Sequence, residues 1–355
     1  MMNLSMFLDV QPKAQSQSEI FKTYKLTDFP VNKKRICCLQ WNKSGSKLAI
    51  GSYDTTIKMF SLDGYGLTKT QEYKGHSDQV ESLAWHPTNE SVFVTTSMDK
   101  TIRIWDAKAG KQVRSDKTKE ENLSLTFNPD GNILGVSNIQ EELCFYDFRM
   151  WKIIKQIKFK NEVNDFTWDK SANGQALLVA DSSGAISVFN GQTLSSQPLA
   201  TLNYHYTPCN SLAVDPNNNY FVSGGSDSLI CLWDMQEFIT FNTISNNDFK
   251  VLALNISYDG QYIASISEDD FNKKFYVEVY EGLTKNKSNE EAIDIDSQYS
   301  SSSNGFGGLN TKQTLYSYSS SSSKICLQWH PKRNILAFAG EEKNEGLVHL
   351  LHPTV

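Results

Sequence analysis

A histidine, a serine and an aspartate in the first third of the chain are of the types that hydrolases use for nucleophilic catalysis. They are His76, Ser97 and Asp99, and Trp105 follows them closely. A catalytic triad needs a nucleophile exposed in a cleft beside an oxyanion hole. A serine that lies within a strand and beneath a tryptophan does not meet this need. We therefore interpret the four residues as a buried structural tetrad held by hydrogen bonds.

The tetrad belongs to a short cassette that recurs along the chain. Its most complete copy begins with Gly75-His76, continues through two apolar runs, and ends with Trp105-Asp106. A Gly-His and a Trp-Asp at a period of about 40 to 45 residues are the signature of the WD repeat. Each such copy forms one four-stranded propeller blade, so the number of copies decides the fold.

Seven copies can be counted from the apolar residue that ends the first strand of each repeat. These residues are Trp41, Trp85, Phe127, Trp168, Val214, Ile256 and Trp329. The last interval is longer than one repeat because of a Ser-rich tract from about Glu281 to Ser323. Serine runs cannot supply the buried side chains of an eighth blade. The sequence therefore predicts an all-β, seven-bladed WD-repeat β-propeller over residues 20–355, with a disordered insertion, residues 282–312, in the hairpin before the last strand of blade six.

The ring needs a closing strand, because the seventh copy lacks its fourth. The segment Ile20 to Leu26 precedes the first copy and alternates as an edge strand does. We expect it to complete the last blade, since closure removes the exposed edges that favour aggregation. Residues 1–19 are predicted to be a flexible tail without a secretory signal.

Blade five carries a second, partial tetrad. His205, Asp227 and Trp233 occupy the equivalent positions, but Gly225 aligns with Ser97.

The chain has six cysteines and no Cys-x-x-Cys pair, which favours reduced core thiols over a zinc site. No apolar run approaches the roughly 18 residues of a membrane span. The sequence thus predicts no catalytic, metal, cofactor or small-molecule site and no membrane partner.

A lysine-rich stretch, Trp151 to Lys160, raises the question of nucleic-acid binding. Lysines beside aromatic rings can contact phosphates and bases. The stretch is, however, predicted to be the outermost strand of blade three, where lysines prevent unwanted strand pairing. The net charge of −6 at pH 7 also disfavours tight nonspecific binding to RNA. We interpret these lysines as protection of a sheet edge.

A different class of function is suggested by Tyr146-Asp147-Phe148-Arg149. WD-repeat substrate receptors of cullin-based ubiquitin ligases often end a repeat with Trp or Tyr, Asp, any residue and Arg. A functional motif would expose Arg149 on the bottom face of the propeller for the adaptor, whereas a structural motif would pair it with a nearby carboxylate. The two possibilities are left open at this point.

Several segments resemble one family more closely than the repeat signature requires. They are His76–Pro87 and Ser97–Asp106 in blade two, Phe159–Trp168 in blade four, Ala264–Asp269 in blade six and Trp329–Ala339 in blade seven. In these segments the chain resembles the THO complex subunit 3 family, the WD-repeat subunits of the transcription-export (TREX) assembly. The resemblance runs in order from about Phe21 to Leu350 and is interrupted only by the Ser-rich tract.

This resemblance implies a nuclear, non-enzymatic scaffold that couples transcription to mRNA processing and export. In the family, the propeller docks on the large helical-repeat scaffold subunit of the THO complex. The assembly in turn engages a DEAD-box RNA helicase and mRNA, which are therefore indirect partners. We expect the partner contacts on the top face and at the mouth of the central channel, by analogy with other propellers.

Overall fold

The computed structural model describes residues 20–282, 314–321, 323–342 and 345–354. Their strands form seven sheets of four antiparallel strands each. The predicted all-β, seven-bladed propeller is therefore confirmed. The predicted tail, residues 1–19, and residues 283–312 of the predicted insertion lie outside the described residues.

Each blade is a meander whose strands we letter a to d from the central channel outward. Blades one and two are β2 (Ile36–Trp41), β3 (Lys47–Ser52), β4 (Ile57–Asp63), β5 (Gly66–Tyr73) and β6 (Val80–Trp85), β7 (Val92–Ser97), β8 (Thr101–Asp106), β9 (Lys111–Lys117). Blades three and four are β10 (Asn122–Phe127), β11 (Ile133–Asn138), β12 (Glu142–Asp147), β13 (Lys152–Lys158) and β14 (Val163–Trp168), β15 (Ala176–Asp181), β16 (Ala185–Asn190), β17 (Ala200–Asn203). Blades five and six are β18 (Cys209–Val214), β19 (Tyr220–Gly225), β20 (Ile230–Asp234), β21 (Thr240–Ile244) and β22 (Lys250–Ile256), β23 (Tyr262–Asp269), β24 (Lys274–Glu281), β25 (Thr314–Ser320). Blade seven is β26 (Lys324–Trp329), β27 (Leu336–Glu342), β28 (Glu345–Pro353) and β1 (Tyr24–Asn32).

The apolar core is divided among the gaps between blades. Seven clusters of buried side chains are present in the described part of the chain, and each is shared by two neighbouring blades. The b strands are buried on both faces for this reason, and Thr95 and Thr96 in β7 are both inaccessible to solvent. No blade can bury its apolar face alone, so stability is shared around the ring.

The ring closes through β1, which pairs antiparallel with β28. The register runs from Tyr24 opposite Pro353 to Asn32 opposite Gly346. An imidazole–carboxylate contact adds to the backbone ladder, since Nδ1 of His349 lies 2.7 Å from Oδ1 of Asp28. Closure by an N-terminal strand agrees with the sequence-based prediction.

The closing strand lies later in the chain than the predicted segment Ile20–Leu26. Phe21 is in a 3-10 turn, Phe21–Thr23, rather than in a strand. Its ring is buried and meets Tyr262 of blade six edge-on, with centroids 5.0 Å apart. The apolar residues that suggested an early strand therefore anchor the turn. Pro30 is tolerated within β1 because this strand lies at the edge of its sheet.

The two faces of the disc carry different connections. We call the face with the a–b and c–d turns the bottom face and the face with the d–a and b–c loops the top face. Antiparallel strands alternate in direction, so this division holds for every blade. The tetrad histidines lie on top-face loops, and Arg149 lies in a bottom-face turn, 148–151.

Histidines on the bottom face connect neighbouring blades through glycines. Gly45 of blade one has φ +77°, and its carbonyl accepts a hydrogen bond from Nε2 of His330 in blade seven at 3.0 Å. Gly131 of blade three also has φ +77° and packs against His86 of blade two. A Cβ at either glycine would overlap the histidine ring. Glycine is thus required here for its backbone conformation and for the close approach of the next blade.

Candidate functional site

The blade-two residues that could form a triad are held in a buried chain of hydrogen bonds. Nδ1 of His76 lies 2.9 Å from Oδ2 of Asp99, and Nε2 of His76 lies 2.7 Å from Oγ1 of Thr95. The indole Nε1–H of Trp105 donates to the same Oγ1 at 2.8 Å. Indole only donates and carboxylate only accepts, so Trp105 donates to Thr95, Thr95 to His76, and His76 to Asp99.

Ser97 is not part of this chain, so its predicted place in the tetrad is wrong. Its hydroxyl donates to the carbonyl of Asp78 at 3.1 Å and accepts the backbone N–H of Asp99. Thr95 takes the central position instead. Thr95 and Ser97 lie on the same face of β7. Thr95 is the one whose hydroxyl bonds to His76.

Blade five also contains a complete chain, contrary to the partial tetrad predicted from Gly225. Nδ1 of His205 lies 3.0 Å from both carboxylate oxygens of Asp227, and Nε2 lies 2.8 Å from Oγ of Ser223. Trp233 donates to the same hydroxyl at 2.8 Å. The signal that was missed is a hydroxyl residue two positions before Ser97 and before Gly225, which blades two and five share.

The hydroxyl, imidazole and carboxylate in blade two are ordered as in a hydrolase, but their environment is that of a core. Burial lowers the pKa of His76, although Asp99 acts in the opposite direction. Burial alone would raise the pKa of Asp99, yet hydrogen bonds from His76, Thr101 and the Ser77 N–H hold it well below its usual range. The Thr95 hydroxyl is inaccessible to solvent, so a substrate cannot reach it in this conformation. The arrangement fastens the d–a loop to strands b and c.

A ring of polar side chains in the central channel was not predicted from the sequence. Five a strands each direct one side-chain oxygen to a backbone N–H of the next blade, at distances of 2.6 to 3.0 Å. The five acceptors are Gln40, Asp165, Ser211, Asn255 and Gln328. They line a channel cavity of about 360 Å³. Burial raises the pKa of Asp165 to about 6, against the hydrogen bonds from the N–H groups of Leu212 and Phe166.

The possible adaptor motif in blade three is partly exposed. Asp147 ends β12, and its Oδ1 accepts the backbone N–H of Met150 at 2.7 Å. Arg149 is exposed on the bottom face and makes no ion pair with any described residue. This geometry meets the exposure condition of the adaptor motif. It also places Asp147 in an ordinary structural role, as the acceptor that fixes the c–d turn.

The described residues offer few other sites for chemistry. They contain no group of three or more His, Cys, Asp or Glu side chains that could hold a metal ion. None of the six cysteines forms a disulfide, and burial raises the pKa of the Cys38 and Cys209 thiols well above their usual range. No helix in the described ranges is long and apolar enough to cross a membrane.

The tips of two top-face loops hold the most exposed aromatic side chains of the described residues. Tyr206 is 94% exposed and Phe271 is 93% exposed. The N–H of Tyr206 donates to Oδ2 of Asp227 at 3.3 Å, so the blade-five tetrad fixes the loop that carries it. The N–H groups of Phe271 and Asn272 each donate to Oδ1 of Asp269 at 3.0 Å. Both rings are therefore presented by ordered turns.

Comparison with known proteins supports the WD-repeat propeller fold. The WD domain, G-beta repeat model matches residues 23–61, 67–106 and 196–234. Among solved structures, the Myceliophthora thermophila Cps50 (Swd1) β-propeller domain is similar with a TM-score of 0.73, covering 93% of this chain and all of that chain. Its sequence identity is 15%, so this similarity concerns the fold alone.

Two curated relatives are similar over most of the propeller. WD repeat-containing protein AAC3 of Dictyostelium discoideum is 28% identical over 68% of this chain and 55% of that protein. THO complex subunit 3 of Arabidopsis thaliana is 32% identical over 326 residues, which cover 91% of this chain and 92% of that protein. This second match covers nearly the full length of both proteins. The chain therefore belongs to the THO complex subunit 3 family of WD-repeat β-propellers.

Proposed function

We propose that this protein is a non-enzymatic scaffold subunit of a nuclear THO complex, and that it serves in mRNP assembly and mRNA export. The observation that carries the proposal is the 32% identity to THO complex subunit 3 over 91% of the chain. The match covers 91% of this chain and 92% of that protein, so it is not confined to one repeat. The direct partner would be another THO subunit, chiefly the large helical-repeat scaffold. A DEAD-box helicase and mRNA would be reached through the complex.

The mechanism that fits this role is recognition by a rigid surface. Tyr206 and Phe271 on the top face have the size, exposure and fixed backbone expected of interface anchors. Binding to such a surface loses little conformational entropy, because the loops are already ordered. We expect the helical-repeat partner to cover this face.

Affinity purification of the tagged full-length chain from nuclei of its own cells tests the proposal. The expected result is near-stoichiometric recovery of the other THO subunits, before and after ribonuclease treatment. The double variant Tyr206→Ser, Phe271→Ser should lose most of the helical-repeat subunit while its thermal unfolding is unchanged. Recovery of a cullin and its adaptor without any THO subunit would instead support the receptor function suggested by Asp147 and Arg149.

A further inference from the structure

The bottom outer edge of blade three exposes an apolar surface. Met150 in the c–d turn is 77% exposed, and Ile153 and Ile154 at the start of β13 are 42% and 49% exposed. In β9 of the neighbouring blade two, Val113 is 61% exposed, and the residue after it, Arg114, contacts Trp151 of the turn. We call residues 149–155 together with Val113 and Arg114 the blade-three rim. Apolar side chains grouped in this way on a soluble protein usually mark an interaction site.

Contacts around Trp151 join the two blades into one surface. The Trp151 ring stacks on Tyr146 with centroids 5.6 Å apart, and the Arg114 guanidinium lies 5.4 Å from its centroid on the blade-two side. Ile153 is the cross-strand partner of Tyr146. The Arg114–Trp151 contact therefore joins β9 to the c–d turn of blade three, and Tyr146 joins that turn to β13.

The turn that carries Met150 is held in a fixed conformation. Trp151 has φ +51°, in the left-handed region where the equivalent turn of blade two has Gly110 with φ +70°. A bulky side chain is strained in this region, and its packing against Tyr146 compensates. Asp147 fixes the other side of the turn by accepting the Met150 N–H. Met150 thus projects from a preformed turn.

Positive charge surrounds the apolar side chains. Arg149 and Lys152 are exposed, and Lys155 is half-buried. Asp116 pairs with Arg114 at 2.5 Å, so these two charges cancel, and Asp147 is one carboxylate beside the three cationic side chains. The rim is therefore locally basic on a chain whose net charge is −6.

We propose that the blade-three rim binds an acidic amphipathic helix of a partner protein. Apolar residues on one face of the helix would cover Met150, Ile153 and Ile154, and its carboxylates would pair with the basic side chains around them. An added β-strand fits less well, because the bulge at Ile154 interrupts the regular edge of β13. RNA also fits less well, because Tyr146 and Arg114 already contact the one tryptophan ring of the rim, which is then not available for base stacking. This proposal rests on the scaffold function only in requiring a protein partner.

A photo-crosslinking amino acid placed at Met150 in the full-length tagged chain tests the proposal inside the native complex. The matched control carries the same crosslinker at Glu237, which occupies the equivalent position in the c–d turn of blade five. There, too, an aspartate, Asp234, accepts the N–H of the probed residue, at 2.8 Å. The expected result is a crosslink from position 150, and none from position 237, to a partner segment with acidic residues and apolar residues at helical spacing.

A second measurement uses substitutions on the same surface. Met150→Glu combined with Ile154→Glu should lower recovery of the crosslinked partner about tenfold, since both apolar anchors are lost and two negative charges are added against an acidic helix. Ile239→Glu, an exposed apolar residue beyond the blade-five turn, should leave recovery unchanged. Equal thermal unfolding of the two variants and the wild type shows that the fold is retained.

The outcomes for the rim and for the scaffold function are distinguishable. If THO subunits co-purify but position 150 gives no crosslink, or crosslinks to RNA, to a basic segment or to a ligase adaptor, the rim proposal is wrong and the scaffold function stands. If an acidic helical segment is crosslinked but no THO subunit is recovered, the rim proposal stands and the proposed function is wrong.

Discussion

At the scale of single residues, two hydrogen bonds meet at the hydroxyl of Thr95. It donates to His76 and accepts from Trp105, and all three groups are buried. Loss of this hydroxyl leaves a buried indole N–H without an acceptor and a buried imidazole nitrogen without a donor. Each orphaned group costs about 1 to 3 kcal/mol. The Ser97 hydroxyl bonds only to backbone groups, the carbonyl of Asp78 in the d–a loop and the N–H of Asp99 in the b–c loop.

We therefore expect Thr95→Val to destabilise the protein more than Ser97→Ala. The free energy of unfolding should fall by about 3 kcal/mol for the first and by about 1 kcal/mol for the second. Urea unfolding at pH 7 measures both. If both variants lose the same free energy of unfolding, the assignment of Thr95 as the hydroxyl of the tetrad is wrong.

The sequence could identify the tetrad but not its hydroxyl member. Side chains two positions apart lie on the same face of a strand, so Thr95 and Ser97 both satisfy the repeat pattern. Only the distance to the histidine distinguishes them, and that distance depends on the strand register. In blade five the same ambiguity led us to align Gly225 with Ser97, although Ser223 supplies the hydroxyl.

Protonation of His330 provides a pH-dependent test at this scale. Its Nε2–H donates to the Gly45 carbonyl, and its Nδ1 accepts the Lys332 N–H, so the folded protein requires the neutral ring. Burial lowers the pKa of His330 to about 4. The unfolded chain binds a proton near pH 6.5 and the folded chain does not, so stability is complete above pH 6.5 and falls as the pH falls toward 4.

The full loss from His330 is about 3 kcal/mol, at about 1.4 kcal/mol for each pH unit. His330→Gln keeps a donor toward Gly45 and cannot titrate in this range. We expect the difference in unfolding free energy between pH 7 and pH 4.5 to be smaller in this variant than in the wild type. The raised pKa of Asp165 makes the folded protein more stable as the pH falls, opposite to the effect of His330. Both proteins contain Asp165, so its effect cancels in the comparison. An identical pH dependence would show that His330 does not titrate as described.

At the scale of elements, the a–b turns decide how closely two blades can approach. Gly131 has φ +77°, and a Cβ there would lie 2.4 Å from the His86 ring. Gly64, in a c–d turn, has φ +60° and nothing within 4 Å of its Cβ position. The two glycines share a left-handed backbone conformation and differ in the space around them.

Replacing each glycine by alanine separates these two effects. Gly64→Ala should cost about 1 kcal/mol of unfolding free energy, from left-handed strain alone. Gly131→Ala should cost about 2 to 4 kcal/mol, because the clash with His86 adds overpacking. Chemical unfolding of both variants gives the comparison, and equal costs would mean that His86 moves aside freely.

Strands that are buried were easier to predict than strands at the outer edge. All seven a strands end at the predicted residue, because each ends on an apolar side chain that is buried. The closing strand was misplaced, since most residues of β1 are only partly buried and its apolar pattern is weak. The ring of polar side chains in the channel could not be predicted, because in the sequence Gln40 and Asp165 look like any other polar residue of a strand.

At the scale of the whole molecule, ring closure ties distant parts of the chain together. Every blade shares its core with two neighbours, so opening one junction exposes apolar surface on both sides. The junction at blade seven depends on β1. The repeat pattern does not predict the partner-binding surface, because exposed residues such as Met150 are not part of that pattern.

Deletion of residues 1–32 should therefore destabilise all seven blades together. We expect the midpoint of thermal unfolding to fall by more than about 10 °C, with a single transition for the remaining blades. Deletion of residues 1–19 should leave the midpoint unchanged, because β1 and Phe21 remain. Differential scanning calorimetry of the two truncated proteins makes the comparison. A folded ring without residues 1–32 would overturn the role of β1.

The pairing of β1 with β28 also has a consequence for biosynthesis. Asn32 lies opposite Gly346, so the ribosome must add roughly 310 residues, over roughly 15 to 60 s, between making the two halves of the closing sheet. During this interval β28, the native partner of β1, has not been made. The first strand of the propeller to be translated is thus the last to pair, and its edge stays open until translation of the propeller is almost complete.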